Sequence, residues 1–166
     1  MTAVQDPAFL TAFGATPGEA SARLRREIDT FEEAARSHEQ VWLTPCSDGA
    51  WSPAQLTEHV LLANESFGKV IHLLGSGRAL PEVPHTPGHL VNGRAVAPPM
   101  LQPGPGLPWH ELAGRWQEVH ARLLRAARTG ASPGRTFWHP YFGALDALGW
   151  TRVAAWHTRH HRRQLP

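Results

Sequence analysis

The segment from Trp150 to Leu165, WTRVAAWHTRHHRRQL, decides the fold class of this 166-residue chain. No glycine or proline interrupts it, and Asp146 just upstream is a residue type that caps helix N-termini. Because each helical residue advances about 100°, His157 and His161 lie within about 40° of each other. The segment therefore predicts a helix whose histidines share one face with the apolar residues Trp150, Val153 and Ala154.

Three earlier segments show the same amphipathic spacing, with apolar residues three and four apart. Two of them open with a capping residue followed by proline, at Thr16-Pro-Gly-Glu19 and at Ser52-Pro-Ala-Gln55. We expect helices from Thr16 to before Pro45, from Ser52 to Gly75, and from about Pro108 to Arg128. No segment has a convincing strand pattern.

Residues 78–107 form a proline-rich connection between the second and third helices. A linker between two domains is the alternative, but neither flank could bury its apolar stripe alone. We therefore expect a single domain over residues 1–166, an all-α four-helix bundle with a long crossover connection. The connection is expected to cover an end of the bundle, and whether it closes over a pocket is left open.

Composition excludes several classes of protein. A single cysteine, Cys46, allows no internal disulfide and no cysteine-based zinc cage. No apolar run reaches the roughly 18 residues of a membrane helix, and the N-terminus lacks a signal-peptide pattern. The expected location is cytoplasmic. A net charge of +2 gives no argument for a nucleic-acid partner.

The histidines divide by position. His59 lies within the apolar stripe of the second helix, and an antiparallel fourth helix would bring it level with His157 and His161. Three neutral imidazoles with an open fourth position are the ligand set of a catalytic divalent ion, most often zinc. His160 also faces His157, so it could replace or join His161. The alternative is that all are core or rim residues; His72, His110 and His120 are expected to be largely solvated.

Two stretches resemble the DinB/YfiT-like superfamily. Trp51-Ser-Pro-Ala-Gln-Leu-Thr-Glu-His59 is similar to the start of that family's second helix. The stretches 139–143, HPYFG, and 156–165, WHTRHHRRQL, are similar to the closing section of one branch. The resemblance implies a four-helix bundle, often a homodimer, with zinc or nickel held by three histidines that map onto His59, His157 and His161.

The resemblance also suggests an activity. Characterised relatives include S-transferases and an isomerase that use a low-molecular-weight thiol such as bacillithiol, mycothiol or glutathione. We therefore expect a metal-dependent transferase that conjugates such a thiol to a small-molecule electrophile. The expected pocket is lined by Trp51, Trp138 and Tyr141, with His139 as a further candidate.

Two alternatives remain. A metal-dependent hydrolase would activate water and usually needs a carboxylate near the ion, but Glu58 and Glu65 point away from the inner face. The inner faces are expected to lack a carboxylate altogether. A non-catalytic metal-binding stress-response protein would favour a closed site with four protein ligands. Cys46 is a poor candidate nucleophile, since no base stands at motif spacing.

Overall fold

The computed structural model describes residues 5–129 and 133–166. Its four α-helices are α1 (Pro17–Arg36), α2 (Pro53–Gly75), α3 (Trp109–Arg128) and α4 (Ala147–Arg162). Three 3-10 segments lie at Pro7–Phe13, Glu39–Val41 and Pro99–Leu101. The four-helix bundle expected from the sequence is confirmed, and its hydrophobic core draws on all four α-helices.

Local sequence explains where the helices begin. In α2, the Ser52 hydroxyl accepts from the Gln55 backbone N–H, and the Gln55 side chain accepts from the Ser52 N–H. In α1, Thr16 accepts from the N–H of Glu19 in the same way, whereas the Glu19 carboxylate reaches one residue further back, to the Ala15 N–H. The bonds to Gln55 and Glu19 satisfy helix N–H groups that have no partner within the helix, and the returning side chains fix the residues just before it.

The packing of α2 on α4 sets the position of the functional side chains. Each of these helices also packs on a second neighbour, α3 for α2 and α1 for α4. The ring of His59, early in α2, lies 5.0 Å from that of His157, late in α4, and Phe67 lies 5.8 Å from Trp150. The two helices are therefore antiparallel, which brings the start of α2 level with the end of α4.

The crossover is fastened to this end of the bundle. The backbone of Gly104 accepts from the Gln55 side chain and donates to Glu58. The indole of Trp42 donates to the carbonyl of Leu107 at 2.8 Å. The crossover therefore covers the end of the bundle at which α2 begins.

Two short hairpins correct the expectation that the chain has no strand. β1 (Leu90–Val91) pairs with β2 (Arg94–Ala95), and β3 (Phe137–His139) pairs with β4 (Gly143–Leu145), both antiparallel. Asn92 and Gly93 turn the first hairpin with φ of 51° and 74°, as an Asn-Gly turn requires. Strands of two or three residues are too short to show an alternating pattern.

Helix α1 is shorter than expected. It ends at Arg36, and a 3-10 turn over Glu39–Val41 follows before the chain reaches Trp42. Trp42 continues the apolar stripe of the expected helix, at the spacings of three and four residues that run from Ala35 through His38, and it is nevertheless buried. The stripe predicted burial correctly, because it reports which side chains face the core and not whether the backbone stays α-helical.

Two buried polar groups correct the sequence expectations that the inner faces lack a carboxylate and that His120 is largely solvated. Glu27 of α1 is only 4% exposed; its carboxylate pairs with Arg23 at 2.6 Å and lies 3.6 Å from Arg162 of α4. His120 of α3 is also 4% exposed, and its Nε2 lies 3.0 Å from the amide nitrogen of Asn64. Both lie beside the apolar stripe of their helix, where the neighbouring helix supplies a polar partner, α4 for Glu27 and α2 for His120.

No helix in the two described ranges combines the length and apolar character needed to cross a membrane.

Candidate metal site

Three imidazole nitrogens converge between α2 and α4. Nε2 of His157 lies 3.1 Å from Nε2 of His59 and 3.1 Å from Nε2 of His161. Nitrogens bound tetrahedrally to zinc at 2.0–2.1 Å are about 3.3 Å apart. Both distances therefore fit a bound divalent ion, and one ligand nitrogen of each of the three histidines lies within 4.8 Å of the others.

The outer nitrogens of two rings are held by acceptors. Nδ1 of His59 donates to the carbonyl of Leu101 at 2.7 Å, and Nδ1 of His161 donates to Oε1 of Gln164 at 2.9 Å. A neutral ring protonated at Nδ1 has a free lone pair at Nε2, so both bonds favour the ligand form. Nδ1 of His157 is buried and has no hydrogen-bond partner within the described residues.

Burial keeps the three rings neutral. It lowers the pKa of His157 well below its ordinary value of 6.5, and the neighbouring His161 and His59 lower it further. Burial also lowers the pKa of His161, to about 3, and that of His59, where the Leu101 carbonyl opposes the change. Neutral imidazole is the form that binds metal, so protons compete weakly here at neutral pH.

His160 lies outside the cluster. Its ring stacks on Trp156 at 5.5 Å, and its Nε2 accepts from the Gln164 amide at 3.1 Å. The side chain is exposed, whereas that of His161 is buried. In this structure His160 is not a member of the cluster, either in place of His161 or beside it. It contacts Gln164, which is also the hydrogen-bond partner of His161.

Aromatic rings surround the three histidines. The ring of Trp51 lies 4.7 Å from that of His59 and 6.2 Å from that of His161. The ring of Phe67 lies edge-on to that of His157 at 5.5 Å. Of the expected pocket residues, Trp51 is thus the one in direct contact with the cluster.

The other expected pocket residues have structural partners. Trp138 stacks on His85 at 4.5 Å, beside a groove of about 370 Å³ between the start of the crossover and β3. The hydroxyl of Tyr141 reaches the crossover carbonyls of His89, at 3.0 Å, and Val96, at 2.9 Å. Both side chains therefore contact the crossover.

His139 is the buried last residue of β3, next to the turn that leads to β4. Its Nδ1 accepts from the backbone N–H groups of Tyr141 and Phe142, and burial lowers its pKa to about 4. Its ring lies 6.4 Å from that of Phe67, which itself contacts His157. His139 is thus one aromatic ring removed from the cluster and holds the turn in shape.

The carboxylates nearest to His59 in sequence form hydrogen bonds and ion pairs outside the histidine cluster. Glu58 accepts from the N–H of Gly104 at 3.1 Å, and Glu65 pairs with Arg115 of α3 and Lys69. Within the described residues, the group of side chains able to hold an ion contains histidines alone. Buried Glu27 is neutralised by Arg23 and Arg162, as described above.

The sequence analysis did not identify the two groups that accept hydrogen bonds from the ligand histidines, the Gln164 side chain and the Leu101 carbonyl. Gln164 lies within about 20° of His157 around the helix, a signal that was available. The Leu101 carbonyl had no such signal, because it is a backbone atom 42 residues from His59.

The chain thus combines a four-helix bundle with a cluster of three histidines whose geometry is compatible with binding a divalent metal ion. A family model of the DinB superfamily matches residues 16–165, and the chain belongs to that family. It is similar to the crystal structure of TT2238, a four-helix bundle protein, with 28% identity and a TM-score of 0.58. That match covers 89% of this chain and 96% of the other. No curated protein matches the chain.

Proposed function

We propose that this protein is a metal-dependent transferase that conjugates a low-molecular-weight thiol to a small electrophile. His59, His157 and His161 would hold one divalent ion, zinc or nickel. The observation that carries the proposal is the convergence of three ligand nitrogens within 4.8 Å of one another, with Nε2 of His157 at 3.1 Å from Nε2 of both other rings and two outer nitrogens hydrogen-bonded to acceptors. Three protein ligands leave a position for an exogenous group, as in catalytic rather than structural zinc sites.

The bound ion would lower the pKa of a coordinated thiol, so that the thiolate is present at neutral pH. In the conjugation, the sulfur electron pair forms a carbon–sulfur bond while the leaving group departs with its bonding pair. The thiol proton passes to solvent. The proposed cosubstrate is a low-molecular-weight thiol such as bacillithiol, mycothiol or glutathione.

The surroundings of the cluster favour a thiol over water as the nucleophile. Trp51 and Phe67 contact the histidine rings, and two of these rings, His59 and His161, are buried. Hydrolysis usually relies on a carboxylate base, but Glu58 and Glu65 are held by the crossover and by α3. A thiolate needs no such base once its proton is lost.

Elemental analysis of protein purified without a histidine tag tests the metal site. We expect about one zinc or nickel per chain in the wild type, and loss of it in His59→Ala and His157→Ala. His72→Ala is the matched control, because His72 is an exposed histidine on α2. Wild-type protein that stays metal-free when zinc and nickel are offered would refute the proposed site.

A conjugation assay tests the chemistry. Monochlorobimane is mixed with bacillithiol, mycothiol or glutathione, and formation of the fluorescent conjugate is followed. Metal-loaded wild type and His72→Ala should exceed the uncatalysed rate at least tenfold with one of these thiols, whereas His157→Ala should not. A loaded protein that cleaves esters without consuming thiol would support the hydrolase instead. A loaded protein with neither activity would support a non-catalytic metal-binding protein.

A further inference from the structure

Gln164 connects two histidines of the last helical turn. Its Oε1 lies 2.9 Å from Nδ1 of His161, and its amide nitrogen lies 3.1 Å from Nε2 of His160. The side chain is exposed and follows the end of α4, so the hydrophobic core does not depend on it. An exposed side chain with two directed bonds is held by those bonds rather than by packing.

The polarity of the Gln164 amide decides which nitrogen of His161 is free. With Oε1 facing His161, Nδ1 must carry the proton, and Nε2 keeps its lone pair toward His157. With the amide reversed, its N–H groups would face Nδ1, and the proton would move to Nε2, where it would block a metal. In the first arrangement the amide nitrogen faces Nε2 of His160, which accepts its N–H at 3.1 Å.

We propose that Gln164 is a positioning residue that sets the tautomer and ring orientation of His161, with His160 holding the Gln164 amide in the required direction. This inference rests on the proposed function, since it concerns a ligand of the same site. Gln164 does for His161 what the Leu101 carbonyl does for His59. Outer acceptors of this kind typically change metal affinity by about 10- to 100-fold when removed.

Two substitutions separate the acceptor role from simple packing. Gln164→Leu keeps the size of the side chain but removes the acceptor. Gln164→Glu keeps an acceptor of greater strength but cannot donate to His160. Gln117→Leu on α3 is the matched control, because Gln117 is also an exposed helical-bundle glutamine. Circular dichroism and thermal melts verify that the wild type and every variant have the same fold.

The first readout is the zinc dissociation constant, measured by competition with a chromophoric chelator. We expect Gln164→Leu to weaken zinc binding roughly tenfold, and Gln164→Glu to match or exceed the wild type. Gln117→Leu should be unchanged, and His160→Ala should show a smaller loss than Gln164→Leu. Equal affinities of the wild type, Gln164→Leu and Gln164→Glu would overturn the inference.

The second readout needs no metal. The ¹⁵N chemical shifts of the His161 ring in the metal-free protein report which nitrogen is protonated. Wild type and Gln164→Glu should show the Nδ1–H form, and Gln164→Leu should show a mixture of the two tautomers. A mixture already present in the wild type would overturn the inference. Absence of zinc binding in every protein would instead refute the proposed function, while the ¹⁵N shifts still decide the role of Gln164.

Discussion

The carbonyl oxygen of Leu101 accepts a hydrogen bond of 2.7 Å from Nδ1 of His59, across 42 residues of chain. A backbone atom of the crossover therefore sets the tautomer of a ring in the candidate metal site. The position of this carbonyl depends on how the crossover docks against the start of α2. Changes in the crossover should reach the site through this bond.

Gly106→Ala tests that dependence. Gly106 has a φ of +103°, and an added Cβ would come within 3.1 Å of Ala54 and Leu43. We expect the variant to melt at a lower temperature and to bind zinc several-fold more weakly, because the Leu101 carbonyl shifts. Gly93→Ala is the matched control: its φ is +74°, but nothing lies within 4 Å of its added Cβ. Equal zinc affinities in the two variants would show that the conformation of the crossover does not affect the metal site.

Trp51 should report on metal binding through its fluorescence. Its ring contacts those of His59 and His161, whereas Trp138 stacks on His85. Nickel should quench the tryptophan emission of the wild type and of Trp138→Phe to a similar extent. It should quench the emission of Trp51→Phe to a smaller extent. A quenching curve of Trp51→Phe identical to that of the wild type would show that Trp51 is not the reporter, and would leave Trp156, whose ring lies 6.5 Å from that of His157, as the quenched residue.

Tyr141→Phe should loosen the crossover without removing the site. The Tyr141 hydroxyl bonds to the carbonyls of His89 and Val96, and a typical lost hydrogen bond lowers stability by about 1 kcal/mol. We expect faster trypsin cleavage after exposed Arg94 and an unchanged zinc affinity. If Tyr141 instead donates a proton in the reaction, the variant would lose turnover while its cleavage rate stayed normal.

The buried His120 should make stability depend on pH. Burial lowers its pKa from 6.5 to about 4, so between these values the unfolded chain binds the proton and the folded protein does not. Stability therefore falls as pH drops from 6.5 toward 4. Between pH 7 and 4.5, His120→Gln should lose about 2 to 3 kcal/mol less stability than the wild type in urea unfolding. Parallel pH profiles would show that His120 is not responsible.

Zinc binding should resist mild acid. Three ordinary imidazoles would lose several-hundred-fold in affinity between pH 7 and 5.5, roughly eightfold for each ring at a pKa of 6.5. Here burial lowers the pKa of His59, His157 and His161, so few protons compete at pH 5.5. The zinc dissociation constant should therefore rise far less over this range. A several-hundred-fold rise would indicate solvated ligands.

Features set by neighbouring residues could be predicted from the sequence. Ser52 and Asp146 cap their helices as expected, because a cap depends on a few adjacent residues. The spacing of His157 and His161, with the antiparallel arrangement of α2 and α4, accounts for the cluster with His59. The DinB family assignment from two short stretches is also confirmed.

Features set by distant packing could not be predicted. The burial of His120 arises because α2 reaches it from the flank of α3, where Asn64 supplies its partner. Glu27 is buried for a similar reason, since Arg162 of α4 approaches it. Each depends on which helices become neighbours, and the periodicity of a single helix does not contain that information.

The contact between His59 and His157 joins residues 98 positions apart. An ion held by both would close most of the chain into a loop, and only the assembled bundle would bring its ligands together. Folding and metal occupancy would then be thermodynamically linked, so that the metal concentration of the cell would set part of the protein's resistance to unfolding. Starvation for that metal would consequently lower the amount of intact protein before any substrate was encountered.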